Sequence, residues 1–404
     1  MSFRSILILL LCSTAWGDIY VSSTGSGSTC SSSVPCSVST GFGQFSSGSS
    51  TTIHFASGTY STGFDVTKNG TSSGSPLTLQ CDNGAASAIS AQNQCKVTGT
   101  ISFANIGIFV EANNVVVKGF DVGNNPNMGA GIIGANANTN VHILGNYVHD
   151  LAQNVYNTAH ATPPGPGCPE NGAIGAGSVG IQVNGNIVKN FGKWPKDSAC
   201  HVSQGIYVLD GQVYNNLVTG VPVGGIQIAY ACGSQVSNNV VISAGQGIII
   251  ENNNGCAGHN TTANNYIGAI SSGGNAIFFL SGTAKCTSGN PNLFSHNITD
   301  GGVGVFSAGP FSCDTVTNAG TPVQSGSSFF VNYQLNGTGD YHLKSGSAGI
   351  GAGSTSCTSG GTSPCTPVND IAGIAHGTLS VGVYSSTSAP NIPNPPSGLG
   401  VVVN

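Results

Sequence analysis

The chain has 404 residues, of which 6% are charged, 61 are glycine and 2 are tryptophan. Its formal net charge is −5 and its only arginine is Arg4, which excludes a basic surface for reading phosphate or nucleic acid. No long segment has helical periodicity, and no apolar run beyond the leader approaches the ~20 residues that cross a bilayer. What is left is an all-β chain rich in small turns.

Residues 1–17 read as a secretory leader, with Arg4 ahead of the apolar run 6–11 and small residues at Ala15 and Gly17. The expected organisation is that leader, one domain over 18–385 and a Ser/Pro/Asn-rich linker over 386–404, in a secreted, monomeric protein. Setting Cys12 aside leaves 12 of the 13 cysteines, an even number that points to disulfides in an exported chain. Neighbour pairing is the simplest arrangement: 30–36, 81–95, 168–200, 232–256, 286–313 and 357–365. No Cys-x-x-Cys spacing suggests zinc.

Strands follow in chain order at Asp18-Ile-Tyr-Val, Thr52-Ile-His-Phe, Leu77-Thr-Leu-Gln80 and Ile101–Val110. From Asn113-Asn-Val-Val-Val-Lys-Gly-Phe-Asp-Val122 onward a repeat sets in. Asn146, Asn186, Asn216, Asn239, Asn265 and Asn297 each stand three places after one residue of a short strand and just before the next. A glycine-led strand precedes them, at Gly131, Gly172, Gly205, Gly225 and Gly247, and the Gly172–Asn186 and Gly225–Asn239 intervals are both 14 residues. Self-similarity of this kind marks stacked coils. The predicted fold is a single-stranded parallel β-helix with disulfide-stapled loops, each coil rising about 4.8 Å above the last. The asparagines would stack into an amide ladder at one corner. Residues 151–171 and 191–204 are long polar inserts, the kind of loop that carries function on a rigid scaffold.

The opening Asp18-Ile-Tyr-Val-Ser-Ser-Thr-Gly, the run 113–122, the Gly205-Ile-Tyr-Val coil and the closing Tyr341-His-Leu-Lys-Ser-Gly-Ser-Ala-Gly-Ile-Gly-Ala-Gly353, Asp370-Ile-Ala-Gly and Val381-Gly-Val-Tyr384 together resemble secreted β-helix proteins of the pectate lyase-like superfamily. The resemblance spans nearly all of 18–385. It implies the right-handed fold and a class that includes polysaccharide lyases, hydrolases, epimerases and adhesins. These motifs are turns and coil closures, so they speak for fold more than for activity.

Counting from the ladder, His149 and Lys189 each stand three places after their asparagine and stack if their coils are adjacent. Asp150 and Asn190 follow them. His201 and Trp194 lie in the second insert, and Tyr207, Asp210, Gln227 and Tyr230 fall on the coils beyond. Abstraction of a proton beside a uronate carboxylate needs a base and a positive charge. Lys189 fits the base, with His149, Asp150 and His201 as helpers. Tyr207, Asp210, Gln227, Tyr230 and Trp194 would bind substrate. The lack of the arginine many such lyases use counts against this. Asp121 and Asp150 offer two oxygen ligands toward calcium, fewer than a site needs. A hydrolase would use Asp150 with Asp210, or Glu170 with Asp197.

Blander readings stand beside these. His149-Asp150 is also a corner hydrogen bond, Lys189 a solvated side chain, and Tyr207 and Tyr230 exposed strand aromatics. Three functions follow: a lyase acting on an acidic polysaccharide, a non-catalytic glycan-binding surface or matrix protein, and a purely structural solenoid.

Overall fold

The computed structural model describes residues 17–47, 50–82, 94–102, 104–153, 172–177, 180–192, 204–229, 233–251, 260–279, 291–300, 304–306, 315–317, 325–353, 370–371 and 380–384. The leader, most of both long inserts, the tail and four of the six expected cysteine pairs lie outside these residues.

Left-handed residues set the rhythm of the coil. The residue before each ladder asparagine has positive φ: Gly145 (63°), Gly185 (67°), Asn215 (56°), Asn238 (55°), Asn264 (59°) and His296 (53°). Glycine and asparagine take this conformation with little strain, so the chain turns sharply there and starts a new strand. A second left-handed column ends that strand, at Asn124, Asp150, Asn190, Gly220, Ser243 and Ala269. Two tight corners per coil divide it into three faces.

All pairings between successive coils are parallel. The first face is an eleven-stranded sheet, and the second and third faces form one sixteen-stranded sheet, among the described residues. The two are joined because Leu217–Ile228 and Val240–Ile250 run through the bend and pair on both faces. Crossovers between parallel strands of one sheet are right-handed, and the molecule is a right-handed parallel β-helix, as the repeat and the resemblance together predict.

Registers place like residues in columns. Val117, Ile143, Val183, Val213 and Val236 stack inside the first face. Val148, Val188, Val218, Val241 and Ile267 do so inside the second, and Ile132, Ile174, Ile206, Ile226 and Ile248 inside the third. All are buried. The glycine repeat has a packing cause: a Cβ on Gly205, Gly225 or Gly247 would lie 2.2–2.5 Å from methyls of Val218, Val241 and Ile267. One alignment from the sequence is off by a residue. Gly172 pairs with Gln204, and the small-residue column is continued by Ala173, so the equal 14-residue spacing was coincidental.

The asparagine ladder forms as expected. Asn146 donates its Nδ2 to Asn186 Oδ1 (3.0 Å), Asn186 to Asn216 (3.0 Å), Asn216 to Asn239 (3.0 Å), Asn239 to Asn265 (3.0 Å) and Asn265 to Asn297 (2.8 Å). The same Oδ1 atoms accept backbone N–H groups, and the second amide protons go to carbonyls of the first face. These six side chains are 0–2% exposed yet satisfied, as burial of amides requires. The 30–36 and 81–95 disulfides are present at the N-terminal coils.

The sequence did not foretell where the C-terminal residues go. Gly326–Phe329 is a short helix, and Phe330–Asn332 pairs antiparallel with Asp340–Leu343. This hairpin lies on the outside of the second face. Phe329, Phe330, Tyr341, Leu343, Ile371, Val381, Val383 and Tyr384 bury a column of outward side chains, Ile187, Leu217, Val240, Tyr266 and Ile298.

Candidate functional site

The second face changes character along its length. Its outward column reads Thr59, Lys96, Asp121, Tyr147, then Ile187, Leu217, Val240, Tyr266 and Ile298. The apolar half lies beneath the C-terminal cover, and Tyr147, the last residue of the other half, packs against its edge. The next outward column is Gly123, His149, Lys189, Thr219 and Ile242. His149 and Lys189 are register neighbours on one side of the sheet, at the edge of the covered region, as the coil count predicts.

His149 is 6% exposed and Asp121 is 2% exposed. The imidazole packs over Gly123, where a Cβ would meet its ring at 2.7 Å, and stacks on Tyr147 with ring centroids 4.0 Å apart. Its Nε2 lies 2.8 Å from Asp121 Oδ1 and its Nδ1 lies 2.7 Å from Asp150 Oδ2. Ionised carboxylates only accept hydrogen bonds, so this geometry suits the protonated ring, in which both nitrogens donate. Burial opposes that charge, but the hydrogen bonds and charges of Asp121 and Asp150 outweigh it, and His149 titrates above its ordinary value. Asp150 is pulled down by its hydrogen bond from His149, against burial, and further by Asn190 and the charges of His149 and Lys189. Asn190 Nδ2 donates to Asp150 Oδ1 at 2.8 Å. Burial, with the charges of Asp150 and Asp121, raises the Tyr147 phenol.

The protonation pattern assigns the chemistry each group can do. While protonated, His149 has no lone pair to take a proton, and the shifts favour the carboxylate of Asp150 and the phenol of Tyr147. Asp150 has a side chain 44% exposed, so it faces solvent on one side. Lys189, partly exposed, brings an amine to the same edge. Its stem lies against the hairpin tip, where a Cβ on Gly337 would sit 3.5 Å from Lys189 Cδ.

The remaining predicted residues lie elsewhere. Tyr207 and Gln227 are neighbours on the outside of the third face. Gln227 is buried there, accepting from Gln204 Nε2 at 2.6 Å and donating to Glu251 Oε2 at 2.7 Å. Asp210 is past the far end of its third-face strand and accepts the hydroxyl of Ser234. Asp150 and Asp210 therefore flank opposite ends of the third face, on successive coils. His201, Trp194 and Tyr230, along with Glu170 and Asp197, lie outside the described residues. Among the described residues no three His, Cys, Asp or Glu side chains gather to hold a metal ion. Asp121 and Asp150 meet only through His149.

Sequence reasoning missed three contributors. Asp121 stood out only as a calcium ligand, and its bond to His149 spans 28 residues. Asn190 was placed beside Lys189 but given no role, and the tip at Gly337 was not singled out. The cover did leave a signal: Asn186, Asn216, Asn239 and Asn265 are each followed by two apolar residues. A strand apolar on both faces is covered on both.

No family model and no curated protein matches the sequence. Among solved structures, the fold is similar to pectate lyase Pel9A at 14% identity, over 91% of this chain and 96% of that one, with a TM-score of 0.44. It is also similar to a rhamnogalacturonan lyase at 13% identity, over 78% and 91%, with a TM-score of 0.42. An alginate lyase from Paenibacillus sp. resembles it at 12% identity, over 72% and 98%, with a TM-score of 0.36.

Proposed function

We propose that the protein acts outside the cell on a uronate-containing polysaccharide, cleaving it by β-elimination, with Lys189 as the residue that meets the sugar. The observation that carries this reading is the pairing of Lys189 with a clamped His149 imidazolium at the open edge of the second face. In its amine form Lys189 takes the proton on the carbon beside the carboxylate. The electron pair of that C–H bond becomes the new C=C bond as the bond to the β oxygen breaks, and the departing oxygen takes a proton from solvent. His149 is a positioning residue that holds Asp150 in place and supplies fixed positive charge. Two disulfides are consistent with an oxidising compartment.

The test is a panel of polygalacturonate, alginate and glucuronan, with and without calcium, followed by absorbance of the unsaturated product. Wild type should form product on one of them, and Lys189→Ala should lower the rate by about 100-fold or more, the usual contribution of a general base. Undiminished activity in that variant would place the chemistry elsewhere.

A second reading, non-catalytic glycan binding, is favoured by one specific observation: both ring nitrogens of His149 are engaged by carboxylates, at 2.8 and 2.7 Å. Absence of product on every polymer, with retention on a glycan affinity gel, would decide for it.

A further inference from the structure

The C-terminal hairpin does more than cover apolar surface. Beyond the paired strands its tip, residues 333–339, reaches the column that carries His149 and Lys189. Thr219, the register neighbour of Lys189 on the next coil, donates its Oγ1 to Leu335 O at 2.7 Å. Gly337 has φ +74°, and a Cβ there would lie 2.4 Å from Thr219 Cγ2. Only glycine fits both the left-handed backbone and that approach. Asn336 Oδ1 accepts from Thr338 N (3.1 Å) and Thr338 Oγ1 (2.6 Å), so the tip is a closed turn. Its base is anchored, since Tyr333 stacks on Phe330 and the Tyr341 hydroxyl donates to Gln334 O.

The two directions along the column therefore differ. Toward the N-terminal coils lie His149 and Gly123, with Asp121 and Lys96 in the column beside them. Toward the C-terminal coils the next position is filled by Leu335 and Gly337. A polymer laid along the stack, one coil every 4.8 Å or so, meets the tip immediately past Lys189.

We infer that the hairpin tip is a stop that makes this a chain-end site: Lys189 meets the terminal unit of an acidic glycan, and Gly337 and Leu335 bar an interior unit. This rests on the polysaccharide reading of the same site but is tested separately from it. The probe is polygalacturonate fractionated by chain length. If wild type cleaves it, mono- and disaccharides should appear from the first minutes while long chains persist. A variant with residues 335–338 replaced by Asn-Gly should shift the products to longer oligomers with early loss of viscosity. Thr219→Val, which frees the tip without altering the hairpin, should shift them the same way and serves if the shortened variant does not fold. If wild type cleaves nothing, the lyase reading falls, and light scattering decides the end-recognition proposal. One protein per chain whatever its length supports it, with the bound number rising with length in the shortened-tip variant. Interior cutting by wild type, binding that grows with chain length, no binding, or a product pattern unmoved by both variants would each overturn it.

Discussion

Histidine takes over the work of arginine in this chain. With no arginine after Arg4, carboxylates on the outer faces are compensated by imidazoles, and two are built alike. His149 lies between Asp121 and Asp150 and stacks on Tyr147. His54 lies 2.7 Å from Asp82 and 3.4 Å from Asp18 and stacks on Tyr20 with centroids 4.6 Å apart. Each clamp ties strands of different coils, and for the one at His149 protonation is linked to folding. For His149 the folded value is raised, so its contribution is complete below about pH 6.5 and is lost as pH rises through that raised value. For Asp150 the folded value is lowered, so its contribution is present above about pH 3.9 and is lost as pH falls through the lowered value. The clamp is strongest between these limits. Thermal unfolding of wild type and His149→Gln across pH should differ most in that acidic window and converge in alkali. A difference independent of pH would show that the ring acts by shape alone.

At the scale of the element, the C-terminal hairpin decides which part of the second face is open. Phe330 is buried between Tyr266, Phe329 and Tyr341. Phe330→Ala should weaken docking by about 3–5 kcal/mol, the usual range for a buried phenylalanine. Limited proteolysis should then cut within 325–343 while far-ultraviolet circular dichroism of the helix is retained; an uncut hairpin would show that other contacts hold it. The coils were legible because their signals are local. A left-handed residue, a buried asparagine and an apolar strand recur within a few positions, and register then makes His149 and Lys189 neighbours. The C-terminal cover was not legible, because the hairpin's contact with Thr219 and that of Ser380 with Asn238 span 116 and 142 residues. Gly172 was misaligned because Gly172 and Ala173 are both small enough for the narrow column. The locked state of His149 was hidden for a related reason: Asp150 adjoins it in sequence, but Asp121 reaches it only through the stack.

At the scale of the whole molecule, each coil buries its inward columns against its neighbours, so stability is shared along the stack. The six-member amide ladder runs through the coils that carry the candidate site and continues beneath the cover. That rigidity fixes the edge where the polar half of the second face meets the covered half, the edge at which glycan recognition is proposed. Hydrogen–deuterium exchange with and without a saturating polygalacturonate oligomer tests the placement most directly. Protection confined to 147–151, 187–191 and the hairpin tip 333–339 is the predicted result. Protection on the first face, with those segments unchanged, would contradict it.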